Sequence, residues 1–131
     1  VFDLDGVLVE SQQLHYEAMN LALSVVAGDE FRISDDEHHQ IYDGLSTHQK
    51  LDLLTRTKGL PPHLHEAVWQ KKQEATRQLV NEKKIEGLYD SDVVACLTAV
   101  KCCGFPIVVA SNCIRESVLA LLTAVGVLHL V

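Results

Sequence analysis

Val1-Phe2-Asp3-Leu4-Asp5-Gly6-Val7 places two carboxylates two positions apart, directly behind an apolar stub. In a strand, residues at i and i+2 share a face, so this spacing predicts that Asp3 and Asp5 point to the same side. Two converging carboxylates repel each other unless a cation neutralises them. A dense set of hard oxygen donors suits Mg2+, which takes carboxylates, carbonyls and water. One carboxylate can then attack phosphorus, while the second protonates the leaving oxygen and afterwards activates water. Gly6 permits a tight turn after the pair.

A second polar cluster stands far along the chain. Pro106-Ile107-Val108-Val109-Ala110 is a continuous apolar run, which predicts a parallel strand buried on both faces. Ser111-Asn112 follows at its carboxyl end, ahead of a helical pattern from about Ile114 to Val125 that Gly126 stops. A hydroxyl beside a helix N-terminus is a phosphate cradle, and the Asn112 amide adds a donor. Taken singly, Asp-x-Asp-Gly is commonly a turn and Ser-Asn commonly a helix cap. Both clusters here lie at the carboxyl ends of apolar runs, where open parallel sheets bind their ligands.

Between the clusters, from roughly Ser11, the period is helical. Leu14, Ala18, Leu21, Ala22 and Val25 predict one inner face, closed by Gly28. Ser34 with Glu37, and Ser46 with Gln49, have capping-box spacing. The first predicts a short helix ending near Gly44, the second a helix through Leu51 and Leu54 to Gly59. After Pro61-Pro62 a long helix is predicted from about His63 to Lys84, with Leu64, Val68, Ala75 and Leu79 inward. Ile85–Asp90 reads as a linker, and Ser91 as the cap of a helix carrying Val94, Leu97 and Val100. The flanks are thus α/β and the middle all-α.

Phe2-Asp3-Leu4-Asp5-Gly6-Val7 resembles the first motif of the haloacid dehalogenase superfamily, and Val108-Val109-Ala110-Ser111-Asn112 resembles its second. The helical middle resembles the cap of the branch that includes beta-phosphoglucomutase and sugar-phosphate phosphatases. The resemblance implies a Rossmann-like core from 1–13 and 87–131, incomplete in this chain, with an inserted helical cap over 14–86. It implies Asp3 as nucleophile, forming an aspartyl-phosphate, and Asp5 as general acid/base. Mg2+ would be held by the Asp3 carboxylate and the Asp5 main-chain carbonyl, and the phosphoryl group by Ser111 with Asn112. The family's dehalogenases lack the second aspartate, so Asp5 favours phosphoryl transfer. In the cap, Gly44-Leu45-Ser46-Thr47 resembles the segment facing the active site, and Lys72 a lysine that reaches substrate. Phosphomutases of this branch usually carry Arg where Thr47 stands, which lowers the mutase reading.

The expectation is therefore a Mg2+-dependent phosphatase of small phosphorylated metabolites. A phosphomutase and a catalytically incomplete binding module are the alternatives. The family's downstream lysine and further acidic ligands do not occur before Val131. The piece of 131 residues is accordingly expected to be an N-terminal part, poorly stable and weakly active alone.

The bulk properties agree with this class. The formal charge of −7 and the absence of a Lys/Arg stripe argue against a nucleic-acid partner. No apolar run approaches the length needed to span a bilayer, and no leader-like stretch opens the chain. Cys96, Cys102, Cys103 and Cys113 lack paired Cys-x-x-Cys spacing and are expected to be free cytoplasmic thiols, several of them buried. His38-His39 and His63-x-His65 are expected on the solvated surface, and Trp69 in the cap core. Oligomeric state leaves no signature in the sequence.

Overall fold

Two short parallel strands hold the amino-terminal stub against the apolar run more than a hundred residues later. In a computed structural model, which describes residues 1–82, 88 and 90–131, β1 (Phe2–Asp3) pairs with β2 (Val109–Ala110). Phe2 stands opposite Val109, and Asp3 opposite Ala110. The Phe2 N–H donates to the Val108 carbonyl at 2.8 Å. The rest is mostly helical: α1 (Gln12–Val26), α2 (Asp35–Glu37), α3 (Thr47–Lys58), α4 (His65–Glu82), α5 (Ser91–Cys102) and α6 (Arg115–Ala124). The chain divides into two compact units, one of Val1–Gln12 with Val80–Val131, the other of Gln13–Leu79.

In the first unit Leu4, Leu8, Val9, Leu97, Ile107, Leu121, Leu122, Val125 and Val127 are buried. Both α5 and α6 touch the short 3-10 turn Leu128–Leu130. The predicted strand after Pro106 is shorter than expected and is not buried on both faces: Ile107 is buried, Val108 is 55 % exposed and Ala110 is exposed. With β1 as its one partner among the described residues, the run alternates between a covered and an open face. Helix α5 is capped by Asp90, whose carboxylate accepts from the Asp92 and Val93 N–H groups; the expected cap Ser91 is its first helical residue. The expected linker falls mainly on 85–87 and 89, outside the described residues.

The cysteines depart from expectation. Cys96, Cys102 and Cys103 are exposed and Cys113 is half-buried. Cys102 is the last residue of α5 and Cys103 its C-terminal cap, and on α5 Leu97 is the residue that packs inward.

The second unit has an apolar core in which Met19, Ala22, Leu23, Ile33, Tyr42, Leu51, Leu54, Leu60 and Val68 are buried together, with Trp69 packed partly buried against them. The buried stripe of α1 is Leu14, Ala18, Met19, Ala22 and Leu23. Leu21 and Val25, expected inside, fall at its edge and are 40 % and 64 % exposed. Asn20 fastens α1 to the extended chain at Ile33, donating to its carbonyl and accepting from its N–H, both at 2.7 Å. Helix α3 begins with the expected capping box, Ser46 accepting from the Gln49 N–H and Gln49 returning to the Ser46 N–H. It ends on Gly59 at φ 73°, the left-handed conformation for which glycine is favoured.

The short helix α2 runs directly into a π-helical turn, His38–Tyr42. His39 and His63 are exposed as expected, and His65 is half-buried against Thr55. His38 is not on the surface: it is 3 % exposed, and its Nε2 is buried without a hydrogen-bond partner among the described residues. Its ring packs against Tyr16, with centroids 5.0 Å apart. Burial, then the nearby Lys50 charge, holds its pKa below the ordinary 6.5; Asp43 opposes this, His39 adds slightly to it, and Asp35 opposes it slightly.

A depressed histidine costs nothing while it is neutral in both states. Below about pH 6.5 the unfolded chain takes up a proton that the folded chain refuses, so stability falls with pH until the folded-state pKa is reached. Thermal melts should therefore show Tm dropping between pH 7.5 and pH 5.5, and His38→Leu should flatten that drop. An unchanged pH slope in the variant would mean that the acid sensitivity lies elsewhere.

Candidate active site

The parallel register decides what the two polar clusters can do together. Asp3 is the last residue of β1, and its partner Ala110 is the last of β2. Both chains therefore leave the sheet side by side at its carboxyl end, one as Leu4-Asp5-Gly6, the other as Ser111-Asn112-Cys113.

The first loop is organised by Leu4. Its side chain is fully buried, and its carbonyl accepts from the N–H groups of Val7, Leu8 and Val9 at 3.3, 2.9 and 3.0 Å. The Gly6 N–H donates to the Val9 carbonyl at 2.8 Å, and Gly6 adopts φ 76°. Space is not the constraint there, since an added Cβ would meet nothing nearer than 4.0 Å; the left-handed backbone is. Asp5 is thus not on a continuous strand, as its spacing suggested. It makes an isolated bridge with Val9.

Asp3 is exposed, and its Oδ1 accepts from the Leu4 N–H at 2.8 Å. Asp5 is half-buried and both of its oxygens receive donors. Ser11, fully buried, donates its hydroxyl to Oδ1. On Oδ2 the Ser111 hydroxyl sits at 3.3 Å and the Cys113 thiol at 3.4 Å. The Ser111 Oγ also accepts from the Cys113 N–H at 3.0 Å. Ser111 is therefore not a helix cap. That position belongs to Ile114, which offers no side chain to the first N–H groups of α6. Asn112 is exposed beside it.

Sequence reasoning did not find Ser11 or Cys113. Ser11 read as the start of a helix, and Cys113 as one of four free thiols. Their contacts span 6 and 108 residues, and no local pattern signals either.

The other expected residues lie in the second unit. Gly44 takes φ 76°, and its N–H donates to the Asp43 carboxylate at 3.0 Å. The Ser46 hydroxyl is engaged by the α3 cap, and Thr47 is the first residue of α3, half-buried. Lys72 on α4 is 6 % exposed rather than solvated, with its Nζ 3.4 Å from the His15 Nδ1.

A family model for haloacid dehalogenase-like hydrolases matches residues 1–131. The chain belongs to that family. No curated protein and no solved structure matches it. No helix of the described residues is long and apolar enough to cross a membrane.

Members of this hydrolase family generally use Mg2+, and the donor chemistry here fits that ion. Asp3 presents an exposed carboxylate with no ion-pair partner among the described residues, one oxygen of which is anchored by its neighbour's N–H. The Asp5 side chain is engaged by two hydroxyls and a thiol. Two protein oxygens, with water and a phosphoryl oxygen completing the shell, is the way Mg2+ usually meets a phosphate site.

Proposed function

We propose that the chain carries the nucleophile and acid/base half of a Mg2+-dependent phosphatase acting on small phosphorylated metabolites of the sugar-phosphate kind. The observation that supports this most is the register of β1 on β2, which sets the Asp3–Asp5 loop against Ser111 at the carboxyl end of a parallel sheet. The unit of Val1–Gln12 with Val80–Val131 is, on this reading, the Rossmann-like catalytic core, and the unit of Gln13–Leu79 the helical cap. Gly44, Ser46, Thr47 and the buried Lys72 would be its substrate-facing residues. Free exposed thiols suit a cytoplasmic setting.

The Asp3 carboxylate attacks phosphorus, and the ester P–O bond breaks as the Asp3–phosphorus bond forms. The leaving alkoxide takes its proton from Asp5. Asp5, now a carboxylate, takes a proton from water, whose oxygen attacks phosphorus, releasing inorganic phosphate and restoring Asp3. Hydrogen bonds on both Asp5 oxygens hold it in one orientation for the two transfers. The Ser111 hydroxyl, with Asn112 and the uncapped N–H groups of α6, receives the phosphoryl oxygens. Mg2+, held by the Asp3 carboxylate and the Asp5 carbonyl, would neutralise charge gathering on those oxygens.

The test is phosphate release from a panel of sugar phosphates by the full-length gene product. Turnover should need Mg2+ and fall to background with EDTA. Activity undiminished by chelation, isomerisation without net phosphate release, or silence across the panel would each overturn the reading.

A further inference from the structure

We infer that Cys113 is a positioning residue for Asp5, the group whose thiol keeps the proton donor aimed once substrate has entered. This rests on the assignment of Asp5 as general acid. Its Oδ2 receives the Ser111 hydroxyl at 3.3 Å and the Cys113 thiol at 3.4 Å. Ser111 has a single O–H proton. A charged phosphoryl oxygen in the cradle is a better acceptor for that proton than the neutral carboxyl group of a general acid. When the hydroxyl turns to the phosphoryl group, the thiol remains as a donor to Oδ2.

The Cys113 backbone is fixed for this task. Its N–H is bonded to Ser111 Oγ at 3.0 Å, and it stands between the end of β2 at Ala110 and the α6 cap at Ile114. A thiol is also a weak donor. It orients the carboxyl group without holding the oxygens as strongly as a second hydroxyl would. Ser11 anchors Oδ1, so the two side chains together fix the plane of the carboxyl group.

General-acid positioning has a signature that a packing role lacks. An alkoxide leaving group needs the proton, and a nitrophenolate barely does. In the full-length protein with Mg2+, Cys113→Ala should lower kcat on a sugar phosphate about tenfold, as expected for a misplaced catalytic group. On p-nitrophenyl phosphate kcat should change less than about twofold, with KM unchanged on both. Cys113→Val, which keeps bulk without an S–H, should show the same substrate-dependent loss and replaces the alanine variant if that one folds poorly. Cys113→Ser, which keeps a donor, should restore the sugar-phosphate rate to within about threefold. Equal losses on the two substrates, or no loss on either, would overturn the inference. Asp5→Asn separates this from failure of the broader reading: if that variant still turns over the sugar phosphate, the acid assignment itself is wrong. If it does not, and the cysteine variants show no substrate-dependent loss, the positioning role alone is wrong.

Discussion

Asp3→Asn should reduce phosphate release at least about a thousandfold while leaving the fold intact, because it removes the attacking oxygen and little else. The amide is the same size as the carboxylate. Its oxygen can still accept the Leu4 N–H that anchors Oδ1 at 2.8 Å. Asp3 is exposed and has no ion-pair partner among the described residues, so no buried charge is orphaned by the change. Circular dichroism and Tm should therefore match the parent protein. Residual turnover above a few per cent would remove Asp3 from the nucleophile's role, and a large fall in Tm would make the loss of activity uninformative.

The second large effect is on stability. Leu54 is fully buried in the core of the Gln13–Leu79 unit, among Met19, Leu23, Tyr42, Leu51 and Val68. Leu54→Ala removes three buried carbons and leaves a cavity that a close-packed interior fills only in part, at a cost of about 2–5 kcal/mol. Domains have only roughly 5–15 kcal/mol in total, so Tm should fall by about 10 °C or more in a unit of this size. Leu54→Met, which nearly conserves volume, should cost less than about 1.5 kcal/mol. Denaturant titration of the pair measures the difference. A loss below about 1 kcal/mol for the alanine variant would mean that the site collapses freely and that this core is loosely packed.

The elements that were legible in the sequence are those set by local chemistry. The Ser46–Gln49 capping box and the left-handed Gly59 need only neighbours within one turn of helix, and both stand where the spacing put them. The family read from Phe2–Val7 and Val108–Asn112 is the one whose model matches the chain. Features decided by tertiary environment were not legible. His38 read as surface because its neighbours are polar, yet it opens a π-helical turn that buries it together with Tyr42. Leu21 and Val25 fit a helical period, but the α1 stripe is centred nearer Met19 and Leu23. The cysteines read as small core residues, and three of them lie exposed on α5 and its end.

At the candidate site the same division holds. Asp3, Asp5 and Ser111 carry motif signals, and Asp5 and Ser111 do meet, at 3.3 Å. The groups that hold Asp5 in place, Ser11 and Cys113, were invisible, since a serine or cysteine becomes a carboxylate donor only through the loops that bring it there. Even the reason for the aspartate spacing changed. Asp5 owes its place to the left-handed Gly6 and the Leu4 carbonyl, not to alternation along a strand.

An aspartyl-phosphate can be caught directly. The full-length protein, mixed with substrate and Mg2+, quenched rapidly and reduced with borohydride, converts a phosphorylated aspartate to homoserine, which peptide mass spectrometry places in the sequence. The account predicts homoserine at the Asp3 position, dependent on substrate and absent from Asp3→Asn. Homoserine at Asp5 or at another aspartate, or phosphate release with none formed at any position, would contradict it.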